Sequence, residues 1–461
     1  MDERKPKRSG KKFLFLISAI AIAWGAVMSF RVGDPPVIDI EPGMPGIGKR
    51  TPVAVTFQES SRGLTRLLVE FVQGDRVEVL AEAKHQAREP WKFWGPAVKS
   101  AELTVEVGGE TLEGLKTGEA VIRASAWPAA TWLRKPSPTI EEVVLPVRLT
   151  PPSIGVRSRY NYVVPSGSAV VVYTVGGTSV RDGVQIRDWW FPGFPVPGDT
   201  TGLRFALFAI PFDLPNESEI QLVAVDDVGN RGQASFVDRF FPKQFRTDTI
   251  QVSDSFMERV VPAIMAATPG IEDQGDLLQN YLWINGELRS RNAAILRELA
   301  ADSRPEFLWD QVFMPMTDGQ VMSSFADRRT YLYEGKPVDQ QDHLGFDLAS
   351  VVHADIQAAN RGVVVLARFF GIYGNAVIID HGFGLMSLYG HLSSIEVAEG
   401  QNVERGQVVG RSGQTGLAGG DHLHFTLLIH GQPVNPVEWW DRAWIRERFA
   451  AKLAPAFVFE P

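Results

Sequence analysis

The amino-acid sequence predicts a mainly β protein with an N-terminal transmembrane helix, two β-sandwich domains, a helical linker and a C-terminal antiparallel-β domain. Three observations lead to this fold class. An apolar run follows a basic N-terminus, short β-type runs separated by turn residues fill 37–245 and 306–441, and a helical period replaces them over 250–305. A chain of 461 residues is also too long for a single compact domain, which favours several folded units.

The composition is that of an ordinary globular protein and excludes several kinds of function. Hydrophobic residues make up 44% and charged residues 22% of the chain, so disorder is not expected. The formal net charge of −8 argues against nucleic acid as the main partner. The absence of cysteine excludes disulfides, thiolate nucleophiles and cysteine zinc fingers. A metal ion would therefore depend on His, Asp or Glu ligands.

The N-terminal residues have the pattern of a membrane anchor. Residues 1–12 form a basic tail with six Lys or Arg, and the 18 residues of Phe13–Phe30 are uncharged and mostly apolar, just long enough for a spanning helix. A cleavable signal peptide with "AIA" at Ala21–Ala23 as its cleavage site is the alternative, but cleavage there would truncate the apolar run. Because a basic flank stays in the cytoplasm, the sequence predicts a single-pass anchor in the cytoplasmic (inner) membrane, with the C-terminal domain on the periplasmic or cell-wall side.

Residues 37–245 have the strand pattern of two β-sandwich domains. Runs such as "TPVAVTF", "LLVEFV" and "AELTVEV" are alternating or β-branched, and Gly, Pro and Asp mark the turns between them. The stretch "LTPPS" at 149–153 divides the region into a first sandwich, 37–150, and a second, 151–245. The segment "VAVDDVGNRG" (Val223–Gly232) resembles the closing hairpin of bacterial immunoglobulin-like domains, which implies sandwiches of that type.

A helical period distinguishes residues 250–305, the predicted linker. Ser255 and Glu258 have the spacing of a capping box in front of an apolar run, and Gly286 is expected to bend or break the helix that follows. Several apolar residues of this stretch fall near one helical face, namely Leu277, Leu278, Tyr281, Leu282 and Leu288. We therefore expect a helical hairpin that connects the sandwiches to the C-terminal domain.

Glycine-rich strands return over residues 306–441, where "GNAVIID", "LMSLYGHL", "QVVGRSG" and "DHLHFTLLI" predict short strands joined by tight turns. No long helix is evident there. The final residues, 442–461, are predicted to form a C-terminal helical tail.

Two histidines lie two residues apart in the last of these strands. Side chains i and i+2 of a strand face the same side, so His422 and His424 should point into one space, as suits two imidazoles acting on one metal or one substrate. Two surface histidines on an exposed strand face are the alternative. "DHLGFDLAS" adds His343 and Asp347, and "SLYGHLSS" adds His391 at a strand end. A catalytic zinc site has three protein ligands and one open position, so some of these groups would handle protons instead.

These motifs resemble the LytM/lysostaphin-type zinc metallopeptidases, peptidase family M23, over roughly residues 310–440. "HLGFDLA" is similar to the family's H-x-x-x-D element, "HLHF" to its closing H-x-H, and the long stretch from "GIYGNAVIID" to "GRSGQTG" to its central strands and turns. The opening "MPMTDGQVMSSFADRR" is similar to the family's first strand and its FGxR element. The C-terminal domain, 306–441, is thus identified as M23-like over less than a third of the chain.

The resemblance implies a role for each of the five polar residues. His343, Asp347 and His424 would be ligands of Zn²⁺, and His391 and His422 would be the catalytic pair. Which of the two histidines is the base stays open.

The sequence departs from the family pattern at two positions. Ala326 stands where the family usually has glycine in the FGxR element, taken here as Phe325–Arg328, and this change is expected to alter a turn near the cleft. Asp421 replaces a proline that often precedes the H-x-H, and its negative charge is expected to orient or charge the ring of His422.

The sequence thus predicts a membrane-anchored zinc metalloendopeptidase that hydrolyses the peptide cross-links of cell-wall peptidoglycan. A non-enzymatic regulator of other wall hydrolases is the alternative, although all five polar positions are kept. A lipoyl or biotinyl carrier module is excluded, because no lysine occurs between Lys336 and Lys452 to carry the group.

Overall fold

The protein forms two compact units in a computed structural model that describes residues 9–31, 33–89, 92, 95–132 and 134–460. One unit contains Met1–Pro152 and Val225–Arg231, and the other contains Ser153–Ala224 and Gly232–Pro461. The described elements are mainly β-strands, as the sequence predicts. The site lies in the second unit.

The N-terminal helix α1 spans Ser9–Phe30. The predicted transmembrane anchor is wrong, because no helix in the described ranges is long and apolar enough to cross a membrane. Residues 1–8 of the predicted basic tail lie outside the described residues.

The first unit contains two antiparallel sheets that enclose one core. Their orders are β1-β2-β5 and β4-β3-β6-β7. Alternate residues of β2 (Val53, Val55, Phe57) point inward, and Leu67, Val69 and Phe71 of β3 meet them, because successive side chains of a strand face opposite sides. The strands are β1 Val37–Pro42, β2 Thr51–Gln58, β3 Leu64–Gln73, β4 Arg76–Lys84, β5 Ser100–Val107, β6 Gly118–Pro128 and β7 Thr139–Val147.

Residues 153–240 contain a second pair of sheets. Their orders are β13-β14-β10-β8 and β12-β11-β15-β16, and β9 pairs with β17. Phe205 of this region packs against Phe383 with ring centroids 5.0 Å apart, so in the second unit these sheets share a core with the C-terminal domain. The strands are β8 Ile154–Val156, β9 Tyr162–Val163, β10 Ser168–Val175, β11 Ser179–Ile186, β12 Trp189–Pro192, β13 Phe194–Pro195, β14 Arg204–Ala209, β15 Ile220–Asp226, β16 Arg231–Ala234 and β17 Arg239–Phe240.

Residues 247–301, called here the helical segment, contain one strand and three helices: β18 Thr247–Val252, α2 Asp254–Ala267, α3 Leu277–Trp283 and α4 Arg289–Ala301. The predicted capping box is displaced, since Ser253 is the N-cap of α2 and its hydroxyl accepts from the backbone N–H of Phe256. Gly286 does not break the helix. It lies in a π-helical turn, Ile284–Leu288, that joins α3 directly to α4.

The helical segment packs onto the C-terminal domain. Strand β18 pairs in parallel with β20, with Ile250 opposite Tyr331. Buried residues of α2 and α3, such as Val260 and Tyr281, share a hydrophobic cluster with Tyr331 and Ile372 of the C-terminal domain. This segment is therefore a wall of the domain as well as a connection to it.

The C-terminal domain is built on a central antiparallel sheet of order β19-β22-β30-β26-β25-β24-β28, with β31 on β30. Two smaller sheets, β18-β20-β21 and β23-β29-β27, flank it. The strands are β19 Gln320–Ser323, β20 Asp327–Tyr333, β21 Lys336–His343, β22 Phe346–Ala349, β23 Asp355–Gln357, β24 Gly362–Phe369, β25 Asn375–Gly382, β26 Leu385–Leu392, β27 Ser394–Ile395, β28 Asn402–Val403, β29 Val408–Arg411, β30 Leu423–Ile429 and β31 Gln432–Val434. Short helices α5 Val437–Trp440, α6 Arg442–Trp444 and α7 Ala451–Leu453 end the chain, with a π-helical turn, Ile445–Ala450, before α7.

Candidate active site

Strand register brings the predicted residues to the middle of the central sheet. Asp347 of β22 lies directly opposite His424 of β30, and Gly390 of β26 lies opposite His424 on its other side. His391 follows Gly390, and His343 ends β21. Residues that are far apart in the chain thus meet at one point of the sheet.

Three side chains converge closely enough to hold one ion. The Nε2 atom of His343 lies 2.9 Å and the Nδ1 atom of His424 lies 3.0 Å from Oδ1 of Asp347, and the two ring nitrogens are 3.2 Å apart. The three possible ligand atoms all lie within 4.8 Å of one another. Two imidazoles and one carboxylate form a donor set that suits a divalent transition metal.

The second nitrogen of each ring is held by the protein. Nδ1 of His343 lies 3.0 Å from the carbonyl of Ser324, and Nε2 of His424 lies 3.0 Å from the hydroxyl of Thr426. The Thr426 hydroxyl donates to the carbonyl of Leu344, so it accepts from His424. Each ring therefore carries its proton on the outer nitrogen and directs a lone pair to the common centre, as metal ligands require.

The carboxylate of Asp347 is held at both of its oxygens. Oδ1 faces the histidines, and Nη2 of Arg329 donates to Oδ2 over 2.9 Å. Burial alone would raise the pKa of Asp347, but the facing imidazole of His343, with those of His422 and His424, outweighs burial and holds that pKa well below its usual range. The group is thus an anion in spite of its burial.

Glycine is required where the loop between two of these residues passes His424. A Cβ atom on Gly345 would lie 2.5 Å from the His424 ring. A side chain there would displace that ring, since contacts this short do not occur between real Cβ atoms and their neighbours.

His391 and His422 form a second pair beside the first group. Their ring centroids are 4.8 Å apart. Nδ1 of His391 is bound to the carbonyl of Thr415 at 2.8 Å, and Nδ1 of His422 to that of Gly420 at 2.9 Å, so each ring directs Nε2 toward the site. His391 also has a left-handed backbone with φ of +64°, an uncommon conformation for a residue with a side chain.

The two rings differ in their affinity for a proton. Burial lowers the pKa of His391 well below its usual value, and the nearby His422 and His424 act in the same direction. Burial also lowers the pKa of His422, but its contact with Asp347, 3.5 Å from Nε2 to Oδ1, outweighs burial and raises the pKa overall. The pair thus combines a neutral ring with one that readily carries charge.

The two departures from the family pattern have local explanations. Ala326 has a left-handed backbone with φ of +62°, the conformation that glycine adopts without strain, and its N–H donates to the carbonyl of His343. The turn is therefore kept. The expectation that Asp421 charges the His422 ring is wrong, since its carboxylate accepts from the Ser412 hydroxyl at 2.6 Å and lies 3.6 Å from His353.

A cavity of about 400 Å³ opens over the five residues. One side of its lining comes from the C-terminal domain, including Tyr373 and Arg329. The other side comes from the helical segment, including Phe256, Tyr281 and Arg289. Sequence reasoning had no signal for Tyr373, for the helical residues or for Arg329. Arg328, which ends the FGxR element, pairs with Asp342 at the surface, while its neighbour Arg329 faces the site.

Comparison with known proteins agrees with this geometry. Residues 341–436 match the model of Peptidase family M23. The chain is 33% identical over 170 residues to the peptidoglycan DD-endopeptidase ShyA of Vibrio cholerae, covering 36% of this chain and 36% of that protein. It is 46% identical over 95 residues to the DD-carboxypeptidase/endopeptidase Mpg of Neisseria meningitidis, covering 21% of this chain and 22% of that protein.

A third relative is named as an activator of hydrolases and not as a peptidase. The murein hydrolase activator EnvC of Escherichia coli is 39% identical over 88 residues, which cover 19% of this chain and 21% of that protein. The chain therefore matches about a third or less of the length of each of these three relatives.

Proposed function

We propose that this chain, whose residues 341–436 carry a peptidase family M23 domain, is a zinc metalloendopeptidase that hydrolyses the peptide cross-links of peptidoglycan. The convergence of His343, Asp347 and His424 next to a second histidine pair is the observation that carries the proposal. Metal-assisted hydrolysis of an amide uses a metal site and proton-handling groups in one cavity.

His343, Asp347 and His424 would hold Zn²⁺, for which two imidazoles and a carboxylate are a usual catalytic ligand set. When bound there, Zn²⁺ supplies a Lewis acid that lowers the pKa of water toward about 7. The ligands must not turn, and the bonds of His343 to Ser324 and of His424 to Thr426 fix both rings.

His391 and His422 would divide the proton work. One Nε2 accepts the proton of the attacking water, and the other stabilises the oxyanion that develops on the attacked carbonyl. The anchoring of each Nδ1 by a backbone carbonyl keeps both Nε2 atoms directed into the cavity.

The names of the relatives support peptidoglycan as the substrate. ShyA and Mpg are named as endopeptidases, ShyA as one of peptidoglycan. Residues 341–436, which match the family model, contain all five polar residues of this site. Because peptidoglycan lies outside the cytoplasm, we propose that the domain acts there.

The test is digestion of purified peptidoglycan by the zinc-loaded protein, with released fragments identified by mass spectrometry. We expect peptides with new amino and carboxyl ends at the cross-links and intact glycan strands. His391→Ala should lower kcat by about 10²–10⁴-fold. His353→Ala is the matched control, because this histidine is exposed and outside the group.

Similarity to the activator EnvC favours a second candidate, a non-enzymatic activator of other wall hydrolases. The two candidates differ in metal binding and in turnover. If the protein binds no zinc, or releases no fragments at full zinc content while it stimulates a separate hydrolase, the activator assignment replaces the enzyme.

A further inference from the structure

Arg289 lines two cavities that both reach His424, a member of the group His343, Asp347 and His424, called here the metal-ligand group. It lines the cavity of about 400 Å³ over the site and a second cavity of about 320 Å³. His424 and Tyr373 line both cavities as well. A chain-like substrate that crosses the site from one cavity to the other would therefore pass Arg289.

The guanidinium of Arg289 is fixed by one neighbour. Nε donates to the backbone carbonyl of Asn285 at 3.0 Å, and Nη2 donates to its side-chain oxygen at 2.7 Å. The Asn285 amide in turn donates to Asp339 at 2.7 Å. The two bonds from Arg289 to Asn285 hold the Nε and Nη2 edge of the guanidinium, which leaves the Nη1 group for another acceptor.

Arg289 differs in its charge balance from two other arginines around these cavities. Arg329 pairs with Asp347, and Arg187 pairs with Asp213 and Glu219. Within the described ranges no carboxylate lies within ion-pair distance of Arg289; Asp339 is reached only through Asn285. A half-buried cation of this kind attracts an anion more strongly than a fully solvated one, because water screens it less.

We propose that Arg289 binds a free carboxylate of the peptide substrate next to the scissile amide, which makes the enzyme selective for anionic peptides. The inference rests on the proposed function of the same site. The planar guanidinium suits a carboxylate, and its attachment to Asn285 pre-orders it so that little flexibility is lost on binding. Arg289 is thus a specificity residue supplied by the helical segment and not by the strands that carry the metal ligands.

The test compares two cross-linked peptides, one with a free carboxylate next to the scissile bond and one with a carboxamide there. We expect the zinc-loaded protein to prefer the carboxylate peptide. Arg289→Gln should raise KM for that peptide about 10- to 100-fold with a much smaller change in kcat, and leave KM for the carboxamide unchanged. Arg291→Gln is the control on the same helix, because Arg291 pairs with Glu287 at the surface.

Zinc content and melting temperature of the Arg289 variant are measured first, so that a misfolded protein is recognised. Equal loss on both peptides, or no preference in the unmodified protein, overturns the inference. If the unmodified protein cleaves neither peptide, the proposed function fails. Affinities of the two peptides for the zinc-loaded protein then decide the inference alone: a preference for the carboxylate that Arg289→Gln abolishes supports it, and equal Kd values refute it.

Discussion

The carboxyl of Glu438 is expected to make the stability of the second unit depend on pH. Glu438 lies in α5, and its Oε2 accepts from the N–H and the hydroxyl of Ser168 in β10, at 2.8 and 3.0 Å. Burial raises the pKa of Glu438 to about 7, against the opposing effects of these bonds and of Lys243. The perturbation we choose is Glu438→Gln, which removes the ionisation and keeps an oxygen acceptor for Ser168.

The magnitude follows from the difference between the folded and unfolded states. A pKa of about 7 in the folded state against 4.5 in the unfolded state corresponds to a contribution of about 3 kcal/mol to the free energy of unfolding. The residue is not wholly enclosed, and screening reduces this figure to roughly 2 kcal/mol. The folded state binds the proton of Glu438 more tightly than the unfolded state does. The stability that this protonation contributes is therefore fully present below pH 4.5 and is lost as the pH rises to about 7.

The assay is urea unfolding of the unmodified protein and the variant at pH 5 and at pH 8. From pH 5 to pH 8 we expect the free energy of unfolding of the variant to rise by roughly 1.5 kcal/mol relative to that of the unmodified protein, because only the unmodified protein must bury a charge at pH 8. Glu447→Gln is the matched control, an exposed carboxylate paired with Arg446. A stability difference between the Glu438 variant and the unmodified protein that does not change with pH would refute the reasoning.

Three further predictions concern the site. His424→Ala should lose metal and activity together, because it removes a ligand, whereas His422→Ala should lose activity and keep most of its zinc, because it removes a proton-handling group. Metal content after dialysis checks this, and equal loss of zinc from both variants would contradict the division of roles. Arg329→Met should weaken zinc affinity about 10- to 100-fold by freeing one oxygen of its partner carboxylate. Arg328→Met, at an exposed arginine beside it, should leave zinc affinity unchanged, and a competition titration with a chelator measures both. Removal of all residues before 306 should lower the melting temperature of the C-terminal domain, because the helical segment covers part of its core. An unchanged melting temperature would mean that the shared core contributes nothing to the stability of the domain.

The metal-ligand group was accessible from the sequence through strand alternation and through the resemblance to family M23. Strand alternation places His422 and His424 on one side, whereas the ligand roles of His343 and Asp347 came from the resemblance. The structure brings these four and His391 together. Their roles as ligands and proton carriers stay predictions.

The remaining features depend on relations that no short pattern contains. Whether Arg328 or Arg329 faces the site is decided by the pairing of β20 with β21, in which Asp327 lies opposite His343. The packing of the helical segment against the C-terminal domain depends on the parallel pairing of β18 with β20, two strands about 80 residues apart in the chain. Gly286 suggested a break because glycine is a poor helix former, yet a π-helical turn accommodates it. The apolar run at 13–30 suggested a membrane span because its length lies at the lower limit for one.

The division of the cavity between two parts of the chain has an evolutionary consequence. The five polar residues all lie within 341–436, the part that is shared with the family, whereas Phe256, Tyr281 and Arg289 precede it. Under the proposed function, mutations in the helical segment would therefore change which peptide is accepted without altering the groups that would hold the metal. The groups for hydrolysis would stay in the strands, and acceptance of a new substrate would require changes only in the helices beside them.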